Sequence, residues 1–136
     1  PVLDNLQLIK QLNIWFEVTT LIIPTLNDTE NELQSIAEFI LSLGKETPWH
    51  VSAFYPAYKM LHFPVTPVAT LHRAREIGLE TGLRYVYTGN IFDTNGGITY
   101  CYNCGKPLVV RDNYLIMKNY IRGNSCPYCG TRIAGV

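Results

Sequence analysis

Two cysteine pairs near the end of the chain constrain its fold more than any other feature. Cys101 with Cys104, and Cys126 with Cys129, each form a Cys-x-x-Cys-Gly motif, and they are all the cysteines the chain has. Glycine after the second cysteine permits a tight turn that points backbone amides at the sulfurs. Two such knuckles facing each other form a tetrahedral shell of four thiolates, so the sequence predicts a structural zinc site.

Other states of the four cysteines stay open at this point. Two disulfides are the simplest alternative, but the chain shows no signal-peptide pattern, and paired Cys-x-x-Cys motifs outside secreted proteins favour a metal. Rubredoxin-like iron has the same thiolate number and tetrahedral geometry as zinc, so the motif does not separate the two metals. A four-cysteine iron–sulfur cluster is a further alternative, although symmetric double knuckles favour a single ion.

Size and charge restrict the class of protein. The chain has 136 residues, enough for one domain or one domain with a small appendage. Eleven Lys and Arg are balanced by eleven Asp and Glu, and this neutrality argues against a nucleic-acid module, which should carry a basic surplus. No apolar run is long enough to cross a bilayer, so we expect a cytoplasmic protein without a membrane partner. The start at Pro1, almost directly before a helix, suggests a piece of a longer protein.

The first ninety residues alternate between helical and strand patterns. Glu32 lies three residues after Thr29, as in a capping box, and Gly44 ends the helix that follows. Thr66 and Pro67 form a second cap, with proline at the first helical position. Alternating strands and helices of this length predict parallel βαβ units. The predicted elements are a helix at 3–13, a strand at 15–23, a helix at 29–44, a strand at 49–55, a helix at 66–82 and a strand at 83–88.

Past residue 97 the pattern changes to short strands and knuckles. The sequence predicts two domains, an α/β domain over residues 1–95 and a four-cysteine zinc ribbon over 98–136. Between the cysteine pairs, two apolar runs at 108–110 and 114–117 flank Arg111-Asp112-Asn113, which is typical of a hairpin turn.

A three-stranded parallel sheet needs cover on both faces and has two unpaired edges. Alternate residues along the first two strands nevertheless include polar groups: Glu17, Thr19, Leu21 and Ile23 on one, and His50, Ser52 and Phe54 on the other. A barrel lumen that holds a ligand would have such a face. The alternative is that Glu17 and His50, near the strand starts, simply reach solvent.

Four segments in order resemble a known family. They are residues 23–28 (Ile-Pro-Thr-Leu-Asn-Asp), 49–56 (Trp-His-Val-Ser-Ala-Phe-Tyr-Pro), 87–90 (Tyr-Thr-Gly-Asn) and the two knuckles. Over essentially its whole length, the chain resembles the C-terminal portion of radical SAM proteins related to pyruvate formate-lyase-activating enzyme, of the AmmeMemoRadiSam type. The resemblance implies the last three βα-type units of a partial (β/α)6 barrel, followed by a zinc ribbon.

The same resemblance implies a function for the parent protein. Members bind a [4Fe–4S] cluster and reductively cleave S-adenosylmethionine to a 5′-deoxyadenosyl radical, and the last barrel strands contact the S-adenosylmethionine. The implied cofactor-binding residues here are Thr20, Ile22, Pro24, Ser52, Phe54, Pro56 and Tyr58. A histidine that helps to hold the cofactor in activating enzymes corresponds in place to Ala57 or Tyr58. The family's Cys-x-x-x-Cys-x-x-Cys cluster motif is absent from these residues.

We therefore expect an enzyme in the parent protein and an inactive fragment here. The expected partners are the missing N-terminal part of the barrel and a protein substrate, and the fragment is expected to self-associate through its bare face and edges. The alternative function is a standalone zinc-ribbon module that binds protein or nucleic acid. The upstream reading frame, where the cluster motif should lie, distinguishes the two.

Overall fold

The computed structural model describes residues 1–93, 95–112 and 115–135. The chain divides into two compact units, Pro1–Ile91 and Phe92–Val136. The first is the α/β unit and the second is the ribbon unit. The fold is therefore mixed α/β with two small sheets, as expected at that coarse level.

The α/β unit contains three helices and three strands in alternation. Its sheet has the order β1-β2-β3, and both neighbouring pairs are parallel, which confirms the expected βαβ pattern. Val18 is in register with Trp49, and Trp49 with Val86. The elements are α1 (Val2–Gln11), β1 (Val18–Ile22), α2 (Glu30–Leu43), β2 (Trp49–Ala53), a short 3₁₀ turn (Tyr58–Met60), α3 (Val68–Thr81) and β3 (Val86–Gly89).

Helix α2 follows its sequence signals closely. The Thr29 hydroxyl accepts a hydrogen bond from the Glu32 amide, as the predicted capping box requires, and Glu32 reaches back to the Thr29 hydroxyl at 2.6 Å rather than to the Thr29 amide. Gly44 ends the helix with a φ of 135°, a value that side chains disfavour. The buried residues of the helix are Leu33, Ala37, Ile40 and Leu43, which are spaced as on one face of an amphipathic helix.

Helices α2 and α3 cover one face of the sheet and form its core. The core residues on the strands are Ile22, Trp49, Val51, Ala53 and Val86, and those on α3 are Leu71, Ala74 and Ile77. Helix α3 lies close to the sheet at Gly78, where a Cβ atom would come within 2.9 Å of both Trp49 and Val86. Glycine is required there because a larger residue would overlap the tryptophan ring.

Helix α1 fully buries none of its residues, although Leu3, Leu6 and Ile9 are at helical spacing in the sequence. An ion pair links it to the loop before β2, with Lys10 Nζ 2.7 Å from Glu46 Oε1. The helix ends at Gln11, and Asn13, the predicted stop, adopts a left-handed φ of 55°. Leu6 and Ile9 are half-buried and Leu3 is exposed, so the unit covers the apolar face of α1 only in part.

Two strands begin later than predicted, and one cap is different. Strand β1 starts at Val18 rather than residue 15, because Val18 is the first residue with a partner in β2. Strand β3 starts at Val86 rather than residue 83. The N-cap of α3 is Pro67, not Thr66, since the Thr66 hydroxyl is buried and bonds two strand ends instead.

The ribbon unit contains an antiparallel sheet of order β4-β5-β6. The strands are β4 (Thr99–Tyr100), β5 (Pro107–Asp112) and β6 (Leu115–Asn119). The hairpin between β5 and β6 was predicted, but Arg111 and Asp112, two of the predicted turn residues, belong to β5 and pair with Ile116 and Leu115. The predicted turn residue Asn113 lies outside the described residues.

No helix in the described part of the chain combines the length and the hydrophobicity that a membrane span requires.

Candidate functional site

The first cysteine knuckle is a closed backbone turn. The Cys101 amide donates to the Lys106 carbonyl at 2.9 Å, and the Gly105 amide donates to the Cys101 carbonyl at 2.8 Å. Gly105 has a φ of 70°, in the left-handed region where glycine is favoured. These bonds bring the Cys101 and Cys104 side chains to the same side of the turn.

The second knuckle repeats the first, residue by residue. The Cys126 amide donates to the Thr131 carbonyl at 2.8 Å, and the Gly130 amide donates to the Cys126 carbonyl at 2.9 Å. Gly130 has a φ of 73°. The two motifs therefore fold as equivalent turns, which the identical Cys-x-x-Cys-Gly spacing predicts.

The two knuckles bring the four sulfur atoms together. All four lie within 4.8 Å of one another, with Cys101 Sγ 3.6 Å from Cys129 Sγ and Cys104 Sγ 3.7 Å from Cys126 Sγ. A tetrahedron with metal–sulfur bonds of about 2.3 Å has edges of about 3.8 Å. The sulfurs therefore fit one four-coordinate ion, and each short distance joins one knuckle to the other.

The same distances argue against the alternatives to a single ion. All four cysteines are free, and the short sulfur pairs are far longer than the roughly 2.05 Å of a disulfide. An iron–sulfur cluster distributes its four thiolates over two or four iron atoms, so it would hold at least some of them farther apart than one ion does. A set of four thiolates suits zinc or a single iron, and the geometry is common to both.

The knuckles differ in exposure between their two positions. The first cysteine of each pair is buried, with Cys101 1% and Cys126 2% exposed, while Cys104 and Cys129 are exposed. The Tyr102 hydroxyl crosses from one knuckle to the other and donates to the Arg132 carbonyl at 3.2 Å. One side of the sulfur cluster thus adjoins the small core of the ribbon, and the other side faces solvent.

The pKa values of the two exposed cysteines, Cys104 and Cys129, are shifted in opposite directions by their surroundings. Hydrogen bonds from the side chain and then the backbone amide of Thr131 lower the pKa of Cys129 to about 6. The Lys106 amide favours the Cys104 thiolate, but desolvation and the neighbouring sulfurs outweigh it and raise the pKa of Cys104 to about 12. Four thiolates cannot share this space without a cation, which is the charge balance a divalent metal provides.

The α/β unit has a second feature of interest, the sheet face opposite the helices. Alternate residues of the three strands point there, and we call this the open face: Thr19, Leu21, His50, Ser52, Tyr87 and Gly89. Leu21 is 44% exposed although it lies in a strand. A parallel sheet normally has both faces covered, so the open face lacks a layer within this unit.

A charged and aromatic group occupies the amino-terminal end of the open face. His50 Nε2 lies 2.6 Å from Glu17 Oε2, and the His50 ring stacks on Tyr87 with centroids 5.1 Å apart. Both partners of the ion pair are partly exposed. Glu17 and His50, which the sequence left open as solvent-reaching residues, therefore contact each other rather than solvent alone.

Hydrogen bonds join the carboxyl ends of the strands. The Thr66 hydroxyl accepts from the Phe54 amide at 2.8 Å and donates to the Ile22 carbonyl, so it ties the ends of β1 and β2 together. The Asn90 side chain donates to the Ala53 carbonyl at 3.2 Å, and the Tyr55 hydroxyl donates to the Asn90 carbonyl at 2.9 Å. These contacts order the loops where α/β folds commonly bind ligands.

The predicted cofactor residues of the first strand lie on the covered side. Ile22 is fully buried in the core, and the Thr20 hydroxyl accepts from Trp49 Nε1 at 2.9 Å. Pro24 is buried after the strand end. Thr20 and Ile22 therefore face the helices, and the structure does not bring them together with Ser52 on the open face.

The other four predicted cofactor residues differ from one another in location and in burial. Ser52 lies on the open face beside Gly89, where a Cβ would come within 2.7 Å of the Ser52 hydroxyl. Phe54 is 6% exposed and contacts Phe63 edge to face. Pro56 is half-buried in the loop after β2, and Tyr58 is 83% exposed with a left-handed φ of 50°.

Sequence reasoning assigned Thr19 and Leu21 to the ligand-facing side of β1 but left them out of the cofactor contacts, and it missed Tyr87 of β3 as a contact altogether. The two-residue period of a strand gives the consistent choice, because Ser52 and Leu21 are in register. Choosing Ser52 fixes Thr19 and Leu21, not Thr20 and Ile22, as the residues on the same face.

One curated protein is similar to nearly the whole chain and is itself longer. The chain is 44% identical over 136 residues to uncharacterized protein MJ0808 of Methanocaldococcus jannaschii, a match that covers 98% of the chain. It spans only 41% of that relative's length. No family model matches the chain. No solved structure matches it either.

Proposed function

We propose that the chain is the C-terminal portion of a radical SAM enzyme related to pyruvate formate-lyase-activating enzyme. In this proposal the α/β unit supplies the last three βα-type units of a partial barrel, and the ribbon unit is a structural zinc site with four cysteine ligands. The open face of the sheet is the observation that carries the proposal. A parallel sheet with one uncovered, partly polar face is what the end of an incomplete barrel would present.

The relative supports the idea of a larger protein. MJ0808 matches the chain over nearly all of the chain but is more than twice as long, so a relative exists in which these units are joined to further residues. The proposal places the missing barrel strands and the three cluster-binding cysteines in such residues. The four cysteines of the ribbon cannot replace them, because they surround one ion on all sides, whereas S-adenosylmethionine needs an open coordination position on iron.

The open face also revises the proposed cofactor contacts. Thr19, Leu21 and Ser52 point to the face that a barrel lumen would contain, and Asn90 and Tyr55 lie at the carboxyl ends of the strands. We assign S-adenosylmethionine to that side. Thr20 and Ile22 then support the strand from behind.

The test uses a longer protein that contains these residues, reconstituted with iron and sulfide without oxygen. A reduced cluster should give an electron paramagnetic resonance signal that changes when S-adenosylmethionine is added, and dithionite should yield 5′-deoxyadenosine. The present chain alone should yield none.

Two matched variants locate the site. Ser52→Phe fills the open face and should abolish the change in the signal, whereas Ser42→Phe, on the exposed side of α2, should leave it intact. Absence of a reducible cluster from the longer protein, or an unchanged response in Ser52→Phe, would contradict the proposal.

A further inference from the structure

The neutral charge of the chain conceals an uneven distribution. Residues 92–136 contain five Lys and Arg against two Asp and Glu, a net charge of +3, and residues 1–91 carry the opposite net charge of −3. The whole-chain balance therefore says nothing about the ribbon unit. Taken by itself, the ribbon unit has the basic surplus of a module that binds an anionic partner.

Strand β6 forms an edge of the ribbon sheet. It pairs with β5 on one side, and no strand among the described residues pairs with its other side. Every residue of β6 is exposed, including three consecutive apolar ones: Leu115 at 69%, Ile116 at 61% and Met117 at 60%. An exposed apolar edge strand is a template for adding another strand.

An open depression of about 280 Å³ begins where β6 ends. It combines aromatic rings, a cation and an amide, and its lining residues are Asn119, Tyr120, Ile121, Arg122, Pro127 and Tyr128. Tyr and Arg are among the residues most enriched where proteins bind other proteins. Because Asn119 is both the last residue of β6 and part of the lining, a segment that lay along β6 would continue into this depression.

The basic side chains along this path have no acidic partner. Neither Lys118 in β6 nor Arg122 in the depression makes a side-chain hydrogen bond or ion pair with any residue that the structure describes. Both are exposed. Carboxylates of a bound segment would meet these two cations without displacing an internal ion pair.

We propose that β6 and the adjoining depression bind an extended acidic peptide segment of a partner protein, which adds to the ribbon sheet as a fourth strand. Main-chain hydrogen bonds to β6 would provide affinity, apolar residues of the segment would cover Leu115 to Met117, and acidic residues would contact Lys118 and Arg122. The proposal concerns the ribbon unit alone and does not depend on radical SAM chemistry.

Two other occupants fit the same surface less well. A second copy would bring two ribbon units of net charge +3 edge to edge, and edge lysines such as Lys118 oppose the pairing of identical edges. Single-stranded nucleic acid would suit the basic charge and the tyrosines, but it would leave the three apolar side chains of β6 uncovered.

The test uses the full chain with its metal bound. The probes are a short fluorescein-labelled peptide of alternating valine and glutamate, the same peptide with lysine for glutamate, and a labelled oligouridylate. In anisotropy titrations at low salt, the acidic peptide should bind, and it should slow amide hydrogen exchange in β6.

Paired charge reversals provide the control. The double variant K118E/R122E should weaken the binding of the acidic peptide by at least about 10-fold, whereas K45E, an exposed lysine of the α/β unit, should change it by less than about 2-fold. Four results would overturn the proposal: no binding of the acidic peptide, equal binding of the lysine peptide, tighter binding of oligouridylate, or sedimentation as a dimer paired through β6.

Discussion

Different features stabilise the α/β unit and the ribbon unit. The α/β unit buries a continuous apolar core on two helices and one sheet face, from Ile22 and Leu33 to Trp49 and Leu71. The ribbon unit buries little beyond Leu108, Val109 and Ile133 beside its two inner cysteines. Domains of that size seldom bury enough apolar surface to fold alone, and a structural metal is one remedy. From this comparison we propose that a metal bound by the four cysteines stabilises the ribbon unit as the apolar core stabilises the α/β unit.

The largest effect should come from removing two metal ligands. The double variant Cys101→Ser/Cys126→Ser should unfold the described residues of the ribbon unit, because the binding free energy of such sites, on the order of 10 kcal/mol, is also folding free energy. Amide hydrogen exchange should rise through β4, β5 and β6 and stay slow in α2 and α3.

Ser125→Ala is the control for that variant. It changes the neighbour of a ligand and loses only a 3.3 Å contact to Asn124, so the ribbon should stay folded. If amide hydrogen exchange in β4, β5 and β6 of the double variant is as slow as in the unmodified chain, the metal does not stabilise the ribbon unit.

Truncation of a core side chain in the α/β unit should destabilise that unit and leave the metal site of the ribbon unit unchanged. Ile40 is fully buried in α2, and Ile40→Ala should lower the free energy of unfolding of the α/β unit by about 2–5 kcal/mol while leaving metal affinity unchanged. Urea unfolding followed by tryptophan fluorescence measures the first, since Trp15 and Trp49 both lie in the α/β unit, and a competitive chelator titration measures the second. Leu12→Ala, at a 60% exposed position, is the control and should have little effect. A coupled loss of metal affinity would show that the units do not fold independently.

A smaller effect is expected from the hydroxyl that ties two strand ends. Thr66 is 3% exposed, and Thr66→Val keeps its shape but leaves the Phe54 amide and the Ile22 carbonyl without their partner. The cost should be about 1–3 kcal/mol, confined to the α/β unit. Thr70→Val, on the first turn of α3, is the matched control. Equal stabilities of the two variants in urea would show that the Thr66 hydroxyl does not stabilise the strand ends.

The smallest effect concerns the attachment of α1. The hydrogen bond from Lys10 lowers the pKa of Glu46 from its usual 4.5, with desolvation opposing the shift. A lowered pKa contributes stability above the unfolded value, and this contribution disappears as the pH falls through the folded value. Because both side chains are about a third or more exposed, solvent screening should keep the loss in Glu46→Gln below about 1 kcal/mol at pH 7.

A double-mutant cycle with Lys10→Gln isolates that pair. The coupling energy should be present at pH 7 and absent at a pH well below 4.5. A coupling that persists in acid would mean that packing of the side chains, and not charge, joins α1 to the rest of the unit.

Local signals in the sequence predicted much of this structure. The capping box at Thr29, the glycine at Gly44 and the two cysteine motifs each determine a turn or a helix end from a few adjacent residues, and all are found where expected. Thr66 shows the limit of such signals. Its position before Pro67 resembles a helix cap, but its hydroxyl instead donates a hydrogen bond to the carbonyl of Ile22, 44 residues earlier in the chain.

The open face illustrates what local patterns leave undetermined. The polar pattern of β1 assigns Thr19 and Leu21 to the ligand side, whereas the resemblance assigns Thr20 and Ile22, so the two arguments disagree on which set meets the helices. Packing decides it, through the Trp49 indole that bonds Thr20. The charge of the ribbon was likewise hidden in the whole-chain average, from which the sequence argument drew only that a nucleic-acid module is disfavoured.

The most direct test of the account is X-ray absorption spectroscopy of the metal in the purified chain. The account predicts one ion per chain with four sulfur ligands at about 2.3 Å and no second metal nearby. A coordination sphere containing nitrogen or oxygen, or a short metal–metal distance from a cluster, would contradict the closed four-cysteine site on which the ribbon depends.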